Sequence, residues 1–296
     1  MENPLISIII PCYNVCHYLP HLLKSILLQD YSKVEIIIIN DGSTDETLNV
    51  ITSFEESFRH KGYDYLIINQ QNAGLANTIN SGLIHVNGKY LVWPDADDWY
   101  ENSMVLRKMA YELEKNPQCP CVRVLTSYAY DYNSKKPINP VDSTKKELFN
   151  DFLNWDEKNI WAPAGSHMIR TDILFNYYPN KKIYANRHGG QNLQLLLPLL
   201  YHRECLTIQE FLYNILVHKG SHSRGAYSTY KQEINRWEDS IELLDNTLCV
   251  IKEIPDNERK NYIRNIRKKY TKIMLNTAKH HRRPFGYIYY LIKYLL

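Results

Sequence analysis

No stretch of this chain approaches the roughly 18 to 20 consecutive apolar residues that a helix needs to cross a bilayer, so no segment is expected to span a membrane. Attachment to a membrane surface stays open. A bias of charge is missing too: 35 Lys and Arg against 32 Asp and Glu leave a net +3, too small to argue for a nucleic acid partner. The six cysteines, at 12, 16, 119, 121, 205 and 249, lack the two-residue spacing of a zinc site, and no signal peptide precedes the first apolar run. Reduced thiols in a cytoplasmic protein are therefore expected. There is neither a glycine fingerprint for a dinucleotide nor a Walker A sequence, so bound phosphate would have to be neutralised mainly by a metal ion. What the chain does have is material for a core: 296 residues with 44% hydrophobic content suffice for one large domain or a domain with an appendage.

Its most concentrated polar feature lies between Trp93 and Tyr100, read as Trp-Pro-Asp-Ala-Asp-Asp-Trp-Tyr. Asp95, Asp97 and Asp98 follow the apolar run Tyr90 to Trp93, where an ordinary domain has no reason to gather negative charge. Alternate side chains of an extended segment share a face. Asp95 and Asp97 can thus converge on one hard cation, and through it on phosphate, while Asp98 points elsewhere. The bland alternative is a solvated acidic turn capping a helix that starts near Glu101.

The residues before this cluster favour the first reading. Leu5 to Ile10 is a β-branched run that halts at a turn, Pro11-Cys12-Tyr13-Asn14, and Leu19, Leu22, Leu23, Ile26 and Leu27 follow with helical spacing. Val34 to Ile39 is the next strand, ending in Asn40-Asp41-Gly42-Ser43-Thr44-Asp45-Glu46, where Ser43 and Glu46 have capping-box spacing for a helix bearing Leu48, Ile51 and Phe54. A third unit runs from Tyr65 to Ile68 through Asn72-Ala73-Gly74 to a helix with Leu75, Ile79 and Leu83, before the strand at Tyr90. Repeated strand and helix imply parallel pairing. Right-handed crossovers then bring the Pro11 turn, the Asp41 turn and the acidic cluster to one edge, where open α/β sheets bind ligands.

Four of these segments, Ser-Ile-Ile-Ile-Pro-Cys-Tyr-Asn at 7–14, Asn-Asp-Gly-Ser-Thr-Asp at 40–45, Asn-Ala-Gly-Leu at 72–75 and Asp-Ala-Asp-Asp at 95–98, resemble glycosyltransferase family 2 on a GT-A fold. The resemblance implies a Rossmann-like, doubly wound, mostly parallel α/β sheet with a C-terminal helical extension. It divides the chain into a GT-A domain at 1–225, with nucleotide-sugar binding in 1–100 and the acceptor side in 101–225, and a basic amphipathic extension at 226–296. It implies an inverting enzyme with a nucleotide-diphosphate-sugar donor and Mn²⁺ or Mg²⁺ as cofactor. Asp41 would read the base, and Pro11, Cys12, Tyr13 and Asn14, with Asn72 and Gly74, would line the nucleotide pocket. Asp95, Ala96 and Asp97 would form the DxD motif, Asp97 as direct metal ligand and Asp95 nearer the ribose and the waters of the metal. The family usually places Arg before the Asn of its third helix; here Ile79 precedes Asn80, leaving no guanidinium at that position.

Farther along, Met104 to Leu113 reads as a helix, Cys121 to Tyr130 as a strand, and Asn133 to Lys146 as a polar, proline-bearing loop. Cys119 and Cys121 read as buried or incidental thiols, and Trp155 and Trp161 as core or as a sugar-stacking platform. Arg187-His188-Gly189-Gly190-Gln191-Asn192 opens an apolar helix and resembles the family's Gly-Glu-Asp motif, whose Asp is the general base. Asn192 stands in the Asp position and Gln191 in the Glu position. An amide cannot take a proton, so the two are expected to orient the acceptor hydroxyl, with His188 as the displaced base, or else simply to cap the helix. Phe211 to Arg224 resembles the family's closing strand and loop, with His218 preferred over His222 as a metal ligand and Lys219 or Arg224 available to the leaving diphosphate.

The tail from about Tyr227 is helical in pattern and is expected to pack outside the catalytic domain. Arg264, Arg267, Lys268, Lys269, Lys272, Lys279, Arg282 and Arg283 are interleaved with apolar residues and tyrosines, as suits an anionic membrane surface or a solvated helix face. The expectation for the whole is a hexosyl- or N-acetylhexosaminyltransferase using a UDP-sugar. Its acceptor would be a glycan or lipid-linked glycan of cell-surface polysaccharide biosynthesis, with the enzyme cytoplasmic and peripheral on the membrane. The rivals are a non-catalytic nucleotide-sugar-binding protein and, less favoured for want of a basic phosphate loop, a metal-dependent nucleotidyltransferase.

Overall fold

The computed structural model describes residues 3–138, 142–154, 163–186, 190–218 and 229–295. Its first half is a run of strands and covering helices: β1 (Ile6–Cys12), α1 (Leu19–Leu27), β2 (Val34–Asp41), α2 (Thr47–Ser53), α3 (Glu55–His60), β3 (Asp64–Gln70), α4 (Leu75–Leu83) and β4 (Tyr90–Val92). The isoleucine runs are uninterrupted because both faces of these strands are covered. Along β1, Ile6, Ile8 and Ile10 enter one core with α1, and Ile9 enters the other with α4; Ile36 and Ile38 divide from Ile37 and Ile39 in the same way on β2. Gly82 allows the close approach of α4, since a Cβ there would lie 2.9 Å from the Ile9 side chain.

The second half is β5 (Trp99–Tyr100), α5 (Val105–Lys115), β6 (Cys121–Ala129), β7 (Lys135–Pro137), α6 (Phe149–Asn154), β8 (His167–Arg170), α7 (Thr171–Tyr177), α8 (Asn192–Leu200) and β9 (Cys205–Leu216). All strands join one sheet in the order β3-β2-β1-β4-β8-β6-β9-β5, with β7 paired to β6. Pairing is parallel from β3 through β4 and between β6 and β9, and antiparallel where β8 and β5 enter. The doubly wound, mostly parallel α/β sheet expected from the sequence is present.

Four local expectations change. β1 continues through Pro11 and Cys12, paired with Ile39 and Asn40 of β2, beyond the last residue that pairs with β4, so Pro11 sits where the strand has a single neighbour. No helix starts at Glu101: Trp99 and Tyr100 instead pair with Asn214 and Tyr213, and α5 begins four residues later. The Ser43–Glu46 capping box does not form, because the Ser43 hydroxyl is engaged by the Asn14 N–H, and Asp45 takes over by accepting the Thr47 N–H at 3.0 Å. The 133–146 loop contains β7, which closes a hairpin on β6.

The chain ends in α9 (Tyr230–Val250), α10 (Asp256–His280) and α11 (Pro284–Leu295), with a Thr229–Gln232 capping box opening α9. The expectation that this extension packs outside the catalytic domain is corrected for its first two helices. Leu243, Leu244 and Leu248 of α9 and Ile266 and Tyr270 of α10 share one core with Leu195 to Leu200 of α8 and the sheet residues Ile9, Ile37 and Leu91. A helical period shows that one face is apolar; it does not show what that face meets. Among the described residues no helix is long and apolar enough to cross a membrane.

Candidate active site

β4 pairs with β1 only from Tyr90 to Val92, whereas β1 runs on beside β2 to Cys12. A crevice therefore opens at the C-terminal edge between β1 and β4, the point from which the strand order proceeds in both directions, and the chain leaving β4 carries the acidic cluster along it. Asp98 is 3% exposed, and its Oδ1 accepts the Leu216 N–H at 3.0 Å, fixing the end of β9. Two residues past that anchor, His218 presents Nε2 at 2.8 Å from Oδ2 of Asp97. The imidazole is steadied by Tyr18, whose ring centroid lies 4.3 Å away. Asp95 is partly buried, and burial, with Asp97 as a second cause, pushes its carboxyl up to about 7. Burial, then Asp97 and Asp95, likewise raise Asp98.

Among the described residues no Lys or Arg pairs with Asp95, Asp97 or Asp98. A cation shared by Asp97 and His218 fits the cluster: cis ligands of an octahedral ion with bonds of about 2.1 to 2.2 Å stand about 3 Å apart, close to the observed spacing. A carboxylate oxygen with an imidazole nitrogen suits Mn²⁺ better than Mg²⁺. Among the described residues no group of three His, Cys, Asp or Glu side chains could enclose an ion, so a bound metal would need further ligands such as phosphate oxygens and water.

The neighbouring loops are braced against one another. The N–H groups of Asn14, Val15 and Cys16 donate to Ser43, Thr47 and Asp45, and the Asn14 side chain accepts from the Thr44 N–H at 2.8 Å, with Asn14 itself at φ 51°. Those backbone groups are thereby used within the protein. Tyr13 is left 51% exposed above the crevice edge, whereas the Cys12 side chain is buried, its thiol pushed up by that burial, so only its backbone remains for a ligand. Asp41 at the end of β2 accepts from Gln70, Ala73 and Gly74, and the Asn72 side chain donates to its carbonyl. Three of the roughly four acceptor positions of its carboxylate are filled, leaving one. Gly42 permits the turn at φ 67°, where a Cβ would stand 2.6 Å from the Asn72 nitrogen. Pro11 and Gly74 lie along the same strand ends, and Ala96 is buried between the two aspartates of the motif.

Asn192 arrives from the distant helix α8: its Oδ1 accepts the Trp93 indole N–H at 2.8 Å, two residues ahead of Asp95. Gln191 is 3% exposed at the N-cap and makes no side-chain cap, so helix capping by Gln191 is not observed. Ile79 is wholly buried, and Asn80 clamps the backbone of Ile183 through both its N–H and its carbonyl. Cys121 and Cys205 are buried neighbours on β6 and β9, with Cys119 buried nearby. Arg187, His188, Gly189, Lys219, His222, Arg224, Trp155 and Trp161 lie outside the described residues.

Sequence reasoning missed an aromatic wall at this edge. Tyr18 lies on His218, while His21 meets Trp99 edge-on at 4.6 Å and Tyr132 at 4.1 Å. The signal for Tyr18 and His21 was their position in the first turn of the helix that follows the β1 turn; nothing local marks Tyr132.

The profile of the family described as Glycosyl transferase family 2 matches residues 7–178. Glycosyltransferase GlyA of Streptococcus pneumoniae is 41% identical over 34% of this chain, a match spanning only 14% of that relative's length. Among solved structures, S. aureus TarS 1-349 in complex with UDP-GlcNAc superposes with a TM-score of 0.70 at 16% identity, covering 98% of this chain and 80% of that one. The mannosyltransferase PcManGT from Pyrobaculum calidifontis, in complex with GDP-Man and Mn²⁺, gives 0.60 at 16% identity over 94% and 74% of the two chains. Both likenesses concern the fold.

Proposed function

The chain belongs to glycosyl transferase family 2, and from that premise we propose an inverting hexosyl- or N-acetylhexosaminyltransferase that uses a nucleotide-diphosphate sugar, UDP-linked in the first instance. The observation that carries the proposal is the Asp97–His218 pair, 2.8 Å apart in a strand end crowded with carboxylates. The UDP-GlcNAc of TarS and the GDP-Man and Mn²⁺ of PcManGT, bound by proteins of the same fold, support it. A bound Mn²⁺ or Mg²⁺ would neutralise the departing diphosphate. In this reading Asp97 and His218 hold the ion, and Asp95 faces the ribose and the waters of the metal. Asp41 spends its remaining acceptor position on the base, and Tyr13, Asn14, Asn72 and Gly74 border the nucleotide. The proposed division remains a GT-A domain at 1–225 and a helical extension at 226–296, working on the cytoplasmic face of the membrane.

The acceptor is proposed to be a glycan or lipid-linked glycan of cell-surface polysaccharide synthesis. Its hydroxyl oxygen bonds to the anomeric carbon as the bond from that carbon to the diphosphate breaks, which inverts the centre, and its proton leaves to a base. Asn192 cannot be that base, because an amide does not take up a proton near neutral pH; its oxygen accepts from Trp93 instead. We assign the proton to His188 and the orientation of the acceptor to Gln191 and Asn192.

The amide at the base position also favours a second reading, a protein that binds nucleotide sugar without turning it over. UDP release from UDP-sugars with Mn²⁺, abolished by EDTA, is expected of the transferase. Tight Mn²⁺-dependent binding with no UDP release over many hours would establish the second reading instead.

A further inference from the structure

The last helix is apolar on both sides. The inward side of α11 packs through Tyr290, 5% exposed, on Ile234, Met274 and Ala278, and Gly286 passes so close to Tyr230 that a Cβ would stand 2.3 Å from its hydroxyl. The outward side should then be polar, as on any helix lying against a soluble core. Instead Phe285 is 87% exposed, Ile288 53%, Tyr289 56%, Ile292 54% and Leu295 74%, and their spacing makes one continuous stripe. Such a stripe is larger than the scattered apolar residues of an ordinary surface and marks a contact.

The charges around it identify the partner. The carboxylates that reach this end of the chain, Glu238 beside the inward Tyr290 and Glu233 paired with His281, come from α9, whereas Lys279, Arg282, Arg283 and Lys293 are exposed at the ends and flank of the stripe. Lys293 lies over the Tyr289 ring at 5.7 Å and Lys268 over the Tyr294 ring at 5.4 Å, pairing cations with amphipathic tyrosines along the helix. Two copies meeting through this face would oppose cation to cation, with no acidic residue on α11 to offset them. The twelve described residues of α11 are long enough to lie in a bilayer surface.

We propose that the outward face of α11 seats in the headgroup region of an anionic lipid bilayer, the apolar stripe entering the acyl boundary and the flanking cations meeting lipid phosphates. This gives the expected membrane surface a specific docking face, and it stands apart from the catalytic reading because it is tested by binding alone.

The test is flotation of the full chain with vesicles of phosphatidylcholine, with and without phosphatidylglycerol. The wild type is expected to bind the anionic vesicles about tenfold or more tighter than the neutral ones. Phe285→Ser, Ile288→Ser and Ile292→Ser together should weaken that binding about tenfold or more while leaving the unfolding temperature unchanged, because all three side chains face solvent. Arg282→Glu with Arg283→Glu should erase the preference for phosphatidylglycerol, and this variant decides the matter should the triple variant fold poorly. Absence of wild-type binding, or an anionic preference retained by the charge variant, overturns the proposal. So does a triple variant that still binds vesicles and differs only in changing from dimer to monomer in sedimentation velocity.

Discussion

Two groups of buried carboxylate sit at opposite ends of the same parallel strands, and they have been resolved in opposite ways. At the N-terminal end Glu35, 7% exposed, accepts from the Ser7 hydroxyl, the N–H groups of Asn87 at 2.7 Å and Gly88 at 3.1 Å, and the Asn87 side chain at 3.0 Å. It ties the beginnings of β1 and β2 to the approach of β4 using neutral donors alone. At the C-terminal end, among the described residues, three aspartates share the Leu216 N–H and the Tyr213 hydroxyl, both on Asp98, and one imidazole, on Asp97. Among the described residues no side chain or backbone group donates to the Asp95 carboxylate. A carboxylate that is saturated with donors builds the fold, whereas a cluster starved of them is built to receive charge.

The largest expected effect breaks the functional end. Asp97→Asn should lower Mn²⁺-dependent UDP release about a thousandfold or more, since metal stabilisation of a leaving diphosphate amounts to several kcal/mol. It should not lower the unfolding temperature, because it removes one charge from a repulsive group. A variant with normal turnover would remove Asp97 from the proposed ion site.

A smaller effect is expected at the structural end. Glu35→Ala leaves the buried Ser7 hydroxyl without its acceptor and removes the carboxylate bonds of Asn87 and Gly88, which keep His85 and Ser7 as partners, and should cost about 2 kcal/mol in urea unfolding, with UDP binding by the folded fraction unchanged. Loss of metal-dependent binding without loss of stability would reverse the roles assigned to the two ends.

The smallest effect sharpens the contrast through pH. Asp95 titrates near its ordinary 3.8 when unfolded and at about 7 when folded, so between those values the native state holds the extra proton. Its contribution to stability therefore falls as pH rises through that window, opposite in sign to that of an ion-paired carboxylate. The difference between the unfolding temperatures of Asp95→Asn and wild type should widen from pH 4 toward pH 7 in EDTA, since ~3.8 to ~7 bounds the shift, and should flatten with Mn²⁺ in the proton's place. A difference independent of both pH and metal would count against a cation site at this strand end.

Much of the β1–β4 half was legible because its instructions are local. Uninterrupted isoleucine runs specify strands covered on both faces, and the turn residues of the Asp41 and Asn72 segments stand beside the strands they end. The extended course expected through Asp95 to Asp98 is not what forms: the Asp98 N–H donates to the Asp95 carbonyl at 3.2 Å, closing a turn at Ala96 and Asp97, and that turn sends Asp97 toward His218 and Asp98 toward the end of β9. The capping box failed for an equally specific reason: a Ser and Glu at the right spacing compete with any other partner for the hydroxyl, and Asn14 from another loop won.

By itself, then, the sequence determined the order of strands and helices, the edge at which they end, and the concentration of charge delivered there. Tertiary structure alone decided which distant groups meet that charge. His218 comes to Asp97 across 121 residues and Asn192 to Trp93 across 99, each carried by an element whose place depends on sheet order and crossovers. It likewise decided that α9 and α10 enter the core while α11 keeps an apolar face turned outward. Periodicity records which side of an element is apolar, but the partner of that side is chosen by the packing of the whole chain.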